Sequence, residues 1–194
     1  MATYDQCDML CGYDKSPTAV MWRTWANALT AIRALAALPC AWMVATGHWP
    51  GAALMFSLAV ITDLLDGPLA RRMNQSSALG GLIDHATDAA FVTSVLLALS
   101  LAGYVHWLLP LLVAAAFTQY MVDSRALRGQ RLRGNRLGRA NGIGYFVVAA
   151  VPIYRNALDL SWPPDPAIAA ASWLLIASTL TSMSLRLSRR AATE

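Results

Sequence analysis

Four aspartates lie within 26 residues of a chain in which 57% of all residues are hydrophobic. Asp63 and Asp66 are three positions apart, and Asp84 and Asp88 are four apart, so each pair would share one face of a helix. The chain has only eleven acidic residues in all. A charged side chain deep in an apolar segment costs about 2.5–3.5 kcal/mol. This grouping therefore indicates a function rather than a solvated surface.

Four unpaired carboxylates in such segments would repel one another, so something must neutralise them. They could take up protons, as in a proton relay. They could pair with Arg33, Arg71 or Arg72. They could also bind divalent cations, which favour oxygen ligands, and two such ions would balance four carboxylates in number and in charge.

Small residues accompany the aspartates and indicate room for a ligand. Gly67 follows Asp66, Ala70 lies one turn further on, and Gly80 and Gly81 precede Asp84 by one turn. With no bulky side chain there, a large ligand could approach the backbone. The planar guanidinium of Arg71 is suited to binding the phosphate of a nucleotide entering from the cytoplasm.

The composition predicts an all-α integral membrane protein. Mean hydropathy is +0.44 and only 13% of residues are charged, against about a quarter in soluble domains. We predict a polar N-terminal tail over residues 1–17, an amphipathic interfacial helix over about residues 18–26, and a C-terminal tail over 191–194. Residues 18–190 would form a single domain, with six spans at 27–47, 51–73, 80–103, 106–125, 139–158 and 166–187.

The basic residues predict the orientation of these spans. With the N-terminus in the cytoplasm, fourteen of the fifteen Lys and Arg residues lie at or near the cytoplasmic side, and only Arg155 lies near the other. The positive-inside rule therefore places both termini in the cytoplasm. A basic rim beside anionic lipid accounts for the net charge of +4 without nucleic acid.

The run Asp63-x2-Asp66-Gly67-x2-Ala70-Arg71-x8-Gly80-x3-Asp84-x3-Asp88 resembles the signature of the CDP-alcohol phosphotransferases, also called class I CDP-alcohol phosphatidyltransferases. A second, weaker similarity is "NALTAIR", which begins the first predicted span. In this resemblance Asn27, Thr30 and Arg33 are candidate contacts of the nucleotide or lipid. Six spans with this orientation also agree with the family's fold.

The resemblance implies an enzyme of phospholipid synthesis in a membrane, with the bacterial inner membrane the expected location. A CDP-linked lipid, usually CDP-diacylglycerol, would donate its phosphatidyl group to a small alcohol and release CMP. Two Mg²⁺ or Mn²⁺ ions would be held by Asp63, Asp66, Asp84 and Asp88, with Asp88 also acting as the catalytic base. The CDP pocket would comprise Asp63, Asp66, Gly67, Ala70, Arg71 and Gly80, and the enzyme is expected to be a homodimer.

The acceptor alcohol is less clearly encoded. Six arginines lie between Asp123 and Gly142, and the positive-inside bias alone would explain them. The sharper hypothesis is that Arg125 and Arg139, which are nearest the spans, bind a phosphate on the acceptor. This favours glycerol 3-phosphate. Inositol phosphate, inositol, serine, choline and phosphatidylglycerol are the alternatives.

Two further interpretations concern the same carboxylates. We expect His85 to be a buried, hydrogen-bonded histidine, with a supporting role beside the metal ligands as the alternative. A different class of function is a proton- or ion-coupled transporter, which would use the aspartates as a relay. That class accounts for the carboxylates but not for the spacing of the Gly, Ala and Arg residues, and no inverted repeat is evident in the sequence.

Overall fold

The structure is a computed structural model that describes residues 25–72, 78–123 and 136–191, with side chains for residues 30–65, 81–122 and 137–188. The described residues are all-helical and contain no strand. They form six helices: α1 (Trp25–Ala45), α2 (Trp49–Arg72), α3 (Ala78–Leu101), α4 (Leu108–Asp123), α5 (Arg136–Ala157) and α6 (Asp165–Ala191).

The six helices coincide closely with the six predicted segments, which confirms an all-helical fold. Gly, Pro and polar residues mark the same ends in both. Gly47 and Gly103, with φ of 73° and 84°, occupy two of the turns, a backbone region that glycine enters without a Cβ clash. Of the predicted interfacial helix, only Trp25 and Ala26 are described, and they belong to α1. The rest lies outside the described residues.

The chain has two helical stretches that are long and apolar enough to cross a membrane, within the part that the structure describes. These are residues 81–101 of α3 and 165–188 of α6. Shorter apolar stretches cover residues 30–45, 49–65 and 108–122. Large apolar side chains such as Leu35, Leu101 and Leu174 point outward.

α1 organises the half of the bundle that carries the aspartates. It packs along both α2 and α3, whereas the described parts of α2 and α3 make few close approaches to each other. The other half is built by α5 against α2 and α6, and by α4 against α3 and α6. Gly144 allows the α5–α6 contact, because a Cβ at this position would lie 2.7 Å from Cδ2 of Leu175.

The core between the two halves is aromatic. The ring centroid of Phe56 on α2 lies 5.7 Å from that of Phe91 on α3 and 6.1 Å from that of Phe146 on α5. Such ring pairs add to the stabilisation gained by burial. Next to them, the hydroxyls of Ser57 and Tyr154 are 2.6 Å apart and tie α2 to α5. This packing joins α2, α3 and α5.

The opposite end is closed by Arg155. Its guanidinium lies 2.6 Å from the Asp165 carboxylate and donates to the carbonyl of Pro163 at 2.8 Å. It also lies 5.4 Å from the centroid of the Tyr104 ring. Asp165 is suited to the first turn of α6, where a negative charge complements the helix dipole. One basic residue thus joins α5, the following turn and α6 at this end.

Candidate active site

The structure brings three of the four aspartates to one place. Asp63 on α2 and Asp84 and Asp88 on α3 form a group that we call the carboxylate cluster. All three side chains are partly buried, and all three line the same cavity. The side chain of Asp66 lies outside the described residues.

Arg33 on α1 holds the carboxylate cluster together. Its side chain is 0% exposed. Nη1 donates to Oδ1 of Asp84 at 2.9 Å and to Oδ1 of Asp88, while Nη2 lies 3.4 Å from Oδ1 of Asp63. One guanidinium therefore contacts carboxylates from both α2 and α3. Pairing with Arg33 was one of the three neutralising options in the sequence.

The described parts of α2 and α3 do not pack closely against each other, and both pack on α1. The spacing of the aspartates predicts two neighbouring antiparallel helices that present their carboxylates to one cavity. In the structure α1 packs against both and supplies the arginine between their side chains. A buried ionic group requires partners of opposite charge, and α1 provides one.

A cavity of about 610 Å³ opens beside the carboxylate cluster. The cluster occupies one side of its lining. Polar and basic residues of α5 and α6 contribute another part, including Arg139, Asn141 and Arg186. Much of the remaining lining is apolar: Ala89, Val92, Val113, Ala116, Phe117, Ile143 and Phe146. The cavity thus combines anionic, cationic and apolar regions, as a site for a charged molecule with a lipid part requires.

Arg139 lines this cavity as the acceptor hypothesis expects, and Arg186 joins it there. From the sequence, Arg186 is only one of the fourteen basic residues on the predicted cytoplasmic side. Its guanidinium lies 5.0 Å from the centroid of the Tyr120 ring, a cation–π distance. Gly138 makes room for it, since a Cβ there would be 2.5 Å from Nη2 of Arg186.

A sequence signal for Arg186 exists in α6. Thr179, Ser182 and Arg186 follow one another at spacings of three and four, so they form a polar line along one face of a largely apolar helix. All three line the cavity, and Thr179 and Ser182 are buried. This spacing is visible in the sequence and indicates that Arg186 lies on the polar face of α6.

Two amide side chains on the cavity wall are fastened to α6. Nε2 of Gln119 donates to the carbonyl of Met183 at 3.1 Å, and Oδ1 of Asn141 accepts from Ser178 at 2.6 Å. The second polar atom of each amide, Oε1 of Gln119 and Nδ2 of Asn141, is buried and has no hydrogen-bond partner among the described residues. These bonds tie α4 and α5 to α6 around the cavity.

The expectation that His85 is buried is wrong. Its side chain is 49% exposed, because it projects from the face of α3 that turns toward the open cavity. Nδ1 lies 4.0 Å from Oδ2 of Asp84, and the ring centroid is 6.2 Å from that of Tyr120. The supporting role beside the carboxylates remains open.

The residues present fit a hard divalent cation. One ligand atom from each of Asp84, His85 and Asp88 lies within 4.8 Å of the others, and Asp63 reaches the same guanidinium as the two α3 aspartates. Three carboxylates against one guanidinium leave the cluster net negative. Carboxylate oxygens are the donors that Mg²⁺ and Mn²⁺ prefer.

Several predicted site residues cannot be compared with the structure. Of six of them the structure describes only the backbone, and Arg125 lies wholly outside the described residues; the six are Asn27, Asp66, Gly67, Ala70, Arg71 and Gly80. Thr30 is described and buried on α1, one turn before Arg33. At Gly81 a Cβ would meet no described atom within 4 Å, in keeping with space for a ligand at the start of α3.

Comparison with known proteins places this site in a family. The sequence profile of the CDP-alcohol phosphatidyltransferase family matches residues 23–184. That range contains α1 to α5 and most of α6, together with every aspartate of the cluster. No solved structure matches the chain.

Two names recur among the curated relatives. A putative cardiolipin synthase of Mycobacterium tuberculosis is 36% identical over 159 residues, covering 77% of this chain and 72% of the relative. The CDP-diacylglycerol–glycerol-3-phosphate 3-phosphatidyltransferase of Escherichia coli K12 is 31% identical over 111 residues, covering 57% of this chain and 58% of the relative. The enzyme of the same name from Blochmanniella floridana is 38% identical over 77 residues, covering 37% and 40%.

Asp88→Asn should weaken Mn²⁺ binding by at least about tenfold, because an amide replaces an anionic oxygen that points to the cluster. The measurement is free Mn²⁺ by electron paramagnetic resonance during titration of the purified protein. Asp159→Asn is the matched control, since Asp159 is exposed at the opposite end with φ of 52°, which asparagine tolerates. Equal affinities in the two variants would contradict a metal site at the cluster.

Proposed function

We propose that this chain, which belongs to the CDP-alcohol phosphatidyltransferase family, transfers a phosphatidyl group from CDP-diacylglycerol to a hydroxyl of glycerol 3-phosphate and releases CMP. The observation that carries the proposal is one cavity with carboxylates on one side and two arginines on another. The carboxylates suit metal ions that bind a diphosphate, and the arginines suit an acceptor that carries a phosphate.

The donor would bind at the carboxylate cluster. Two ions, Mg²⁺ or Mn²⁺, would supply positive charge that offsets the diphosphate and polarises the phosphorus under attack. Asp63, Asp66, Asp84 and Asp88 would hold them. By the resemblance, Gly67, Ala70, Arg71 and Gly80 would line the cytidine diphosphate pocket, with Asn27 and Thr30 as further contacts. The apolar part of the cavity wall suits the start of the acyl chains.

The transfer would require one proton acceptor, and by the family resemblance Asp88 would take that role. As the acceptor hydroxyl forms its bond to the phosphorus, Asp88 takes the proton from that hydroxyl. The bond between this phosphorus and the bridging oxygen breaks, and CMP leaves with that oxygen. Partial burial supports this role, because a base shielded from bulk water exchanges its proton with the bound alcohol rather than with solvent.

The acceptor would bind between α4, α5 and α6. Arg139 and Arg186 line this part of the cavity, and their planar guanidinium groups suit a phosphate. Arg125 remains a further candidate for the same role. The name of the E. coli and Blochmanniella relatives supports glycerol 3-phosphate. The name of the mycobacterial relatives supports a second candidate acceptor, phosphatidylglycerol, which also offers a glycerol hydroxyl near a phosphate.

The proposal includes six membrane spans with both termini in the cytoplasm of a bacterial cell. The outward-pointing leucines and the apolar helices support membrane insertion. Shorter apolar stretches lie in the described parts of α1, α2 and α4, and the carboxylate cluster and the cavity arginines lie at one end of the bundle. The positive-inside rule supports a cytoplasmic position for that end. A homodimer is proposed on the family resemblance alone.

A donor and acceptor assay tests the proposed reaction. With CDP-diacylglycerol, Mn²⁺ and each candidate acceptor in turn, we expect CMP release with glycerol 3-phosphate, and its reversible loss on chelation with EDTA. Turnover confined to phosphatidylglycerol would move the assignment to the second candidate. Activity that is indifferent to EDTA would overturn the metal assignment, and metal-independent flux driven by membrane potential would support the transporter class instead.

Replacing the arginines of the cavity tests the acceptor position. Arg139→Ala and Arg186→Ala should each raise KM for glycerol 3-phosphate by about tenfold, which corresponds to about 1.4 kcal/mol, and leave KM for CDP-diacylglycerol unchanged. Gly138→Ala should raise the same KM less, because its Cβ displaces the guanidinium of Arg186. Gly144→Ala is the matched control, since Gly144 is on the same helix but does not line the cavity, and its Cβ would crowd Leu175 rather than an arginine. Unchanged acceptor KM in both arginine variants would refute this position.

A further inference from the structure

Arg33 holds the most buried charge among the described residues of the site. Its side chain is 0% exposed, and its guanidinium is engaged by the three described carboxylates. Arg33 is not one of the residues that line the cavity, whereas Asp63, Asp84 and Asp88 are. A guanidinium in this position faces the carboxylates rather than a nucleotide or lipid in the cavity, which differs from the contact that the sequence suggested.

The chemistry of arginine makes this position informative. A buried histidine or lysine can lose its proton and become neutral, but arginine keeps its charge under all ordinary conditions. Its fork of donors can bind several oxygens at once. A permanent charge in an apolar bundle is tolerated only with anionic partners. Arg33 therefore offsets part of the negative charge of the cluster in the absence of any bound ion, and the cluster keeps a net negative charge.

The position of Arg33 on α1 matters as much as its charge. The described parts of α2 and α3 make few close approaches to each other, and both pack on α1. Nη1 contacts the two α3 aspartates and Nη2 contacts the α2 aspartate. Without this side chain, three carboxylates would face one another with no described cation between them, and their repulsion would favour separation of α2 from α3.

We propose that Arg33 is the positioning residue of the carboxylate cluster. It keeps the aspartates of α2 and α3 together before a metal ion binds, and a bound divalent cation can take over this role. The proposal rests on the metal site of the proposed function. It adds that the metal-free site is assembled by a residue of the chain itself. The guanidinium and the metal act on the same carboxylates, so loss of one increases the dependence of the fold on the other.

The test is the unfolding temperature of the full chain in detergent, measured in EDTA and again in Mn²⁺. Arg33→Gln removes the charge and keeps a similar length. In EDTA this variant should unfold roughly 10 °C below the wild type, because carboxylates are left without their buried partner. Mn²⁺ should then raise its unfolding temperature by more than it raises that of the wild type, since the ion restores the missing positive charge. Arg33→Lys, which keeps a charge but not the fork, should lose less.

Leu99→Ala is the matched control for ordinary loss of stability. Leu99 is fully buried on α3, about three turns beyond Asp88, so its truncation destabilises the core without changing the cluster. This variant should keep the Mn²⁺ shift of the wild type. A Mn²⁺ shift in Arg33→Gln that is no larger than in Leu99→Ala would overturn the proposal, because Arg33 would then be an ordinary core residue.

A double variant keeps the proposal testable if Arg33→Gln does not accumulate. Adding Asp88→Asn removes the carboxylate that hydrogen-bonds most closely to Arg33, so Arg33→Gln with Asp88→Asn should be more stable in EDTA than Arg33→Gln alone. Additive losses would contradict the proposed coupling. This comparison uses neither metal nor substrate. A wild type without any Mn²⁺ shift would therefore refute the metal site, while the double variant still decides the role of Arg33.

Discussion

The high free-energy cost of charge in an apolar environment shapes this molecule. Three carboxylates and one guanidinium lie within a bundle whose other buried side chains are mostly aliphatic and aromatic. Separated, each of these groups would be strongly disfavoured there. Held together, they form a compact cluster that still carries excess negative charge and so attracts a cation. The packing of α1 against α2 and α3 follows from this requirement as much as from burial of apolar surface.

The cavity extends the same logic to a substrate. Its anionic side is drawn from α2 and α3, and its cationic side from α5 and α6, with α4 closing the wall between them. The amides of Gln119 and Asn141 tie α4 and α5 to α6, so the arginines are positioned by a polar frame. A molecule with a diphosphate at one end and an acceptor with a phosphate at the other would complement both sides. Family membership supports that chemistry from an independent direction.

Much of the fold could be predicted from the sequence, because helix length and helix ends are local properties. Apolar runs bounded by glycine, proline and charge gave six segments that match the six helices. The spacing of the aspartates predicted shared helix faces, and Asp84 and Asp88 do meet at one guanidinium. The position of α1 between α2 and α3 was not predictable in this way, since the order of packing depends on contacts between residues far apart in the chain.

The parts of the site that sequence reasoning missed are long-range pairings. Arg33 lies more than fifty residues from Asp84 and Asp88. The sequence offered it as one of three arginines that could pair with the aspartates and as a candidate contact of the nucleotide or lipid. In the sequence, Arg186 is one of several basic residues on the predicted cytoplasmic side. In the structure, the polar line of α6 that includes Arg186 faces the cavity. His85 was expected inside because it lies in an apolar helix, yet the cavity exposes that face of α3.

We propose that carboxylates of α2 and α3 converge to bind divalent cations. The most direct test of this proposal is anomalous diffraction from crystals of the protein grown with Mn²⁺. Manganese peaks are expected about 2 Å from the carboxylate oxygens of Asp84 and Asp88, with Asp63 on the same group of ions. Manganese absent from the cluster, or bound only at the surface while Arg33 alone occupies the carboxylates, would contradict it.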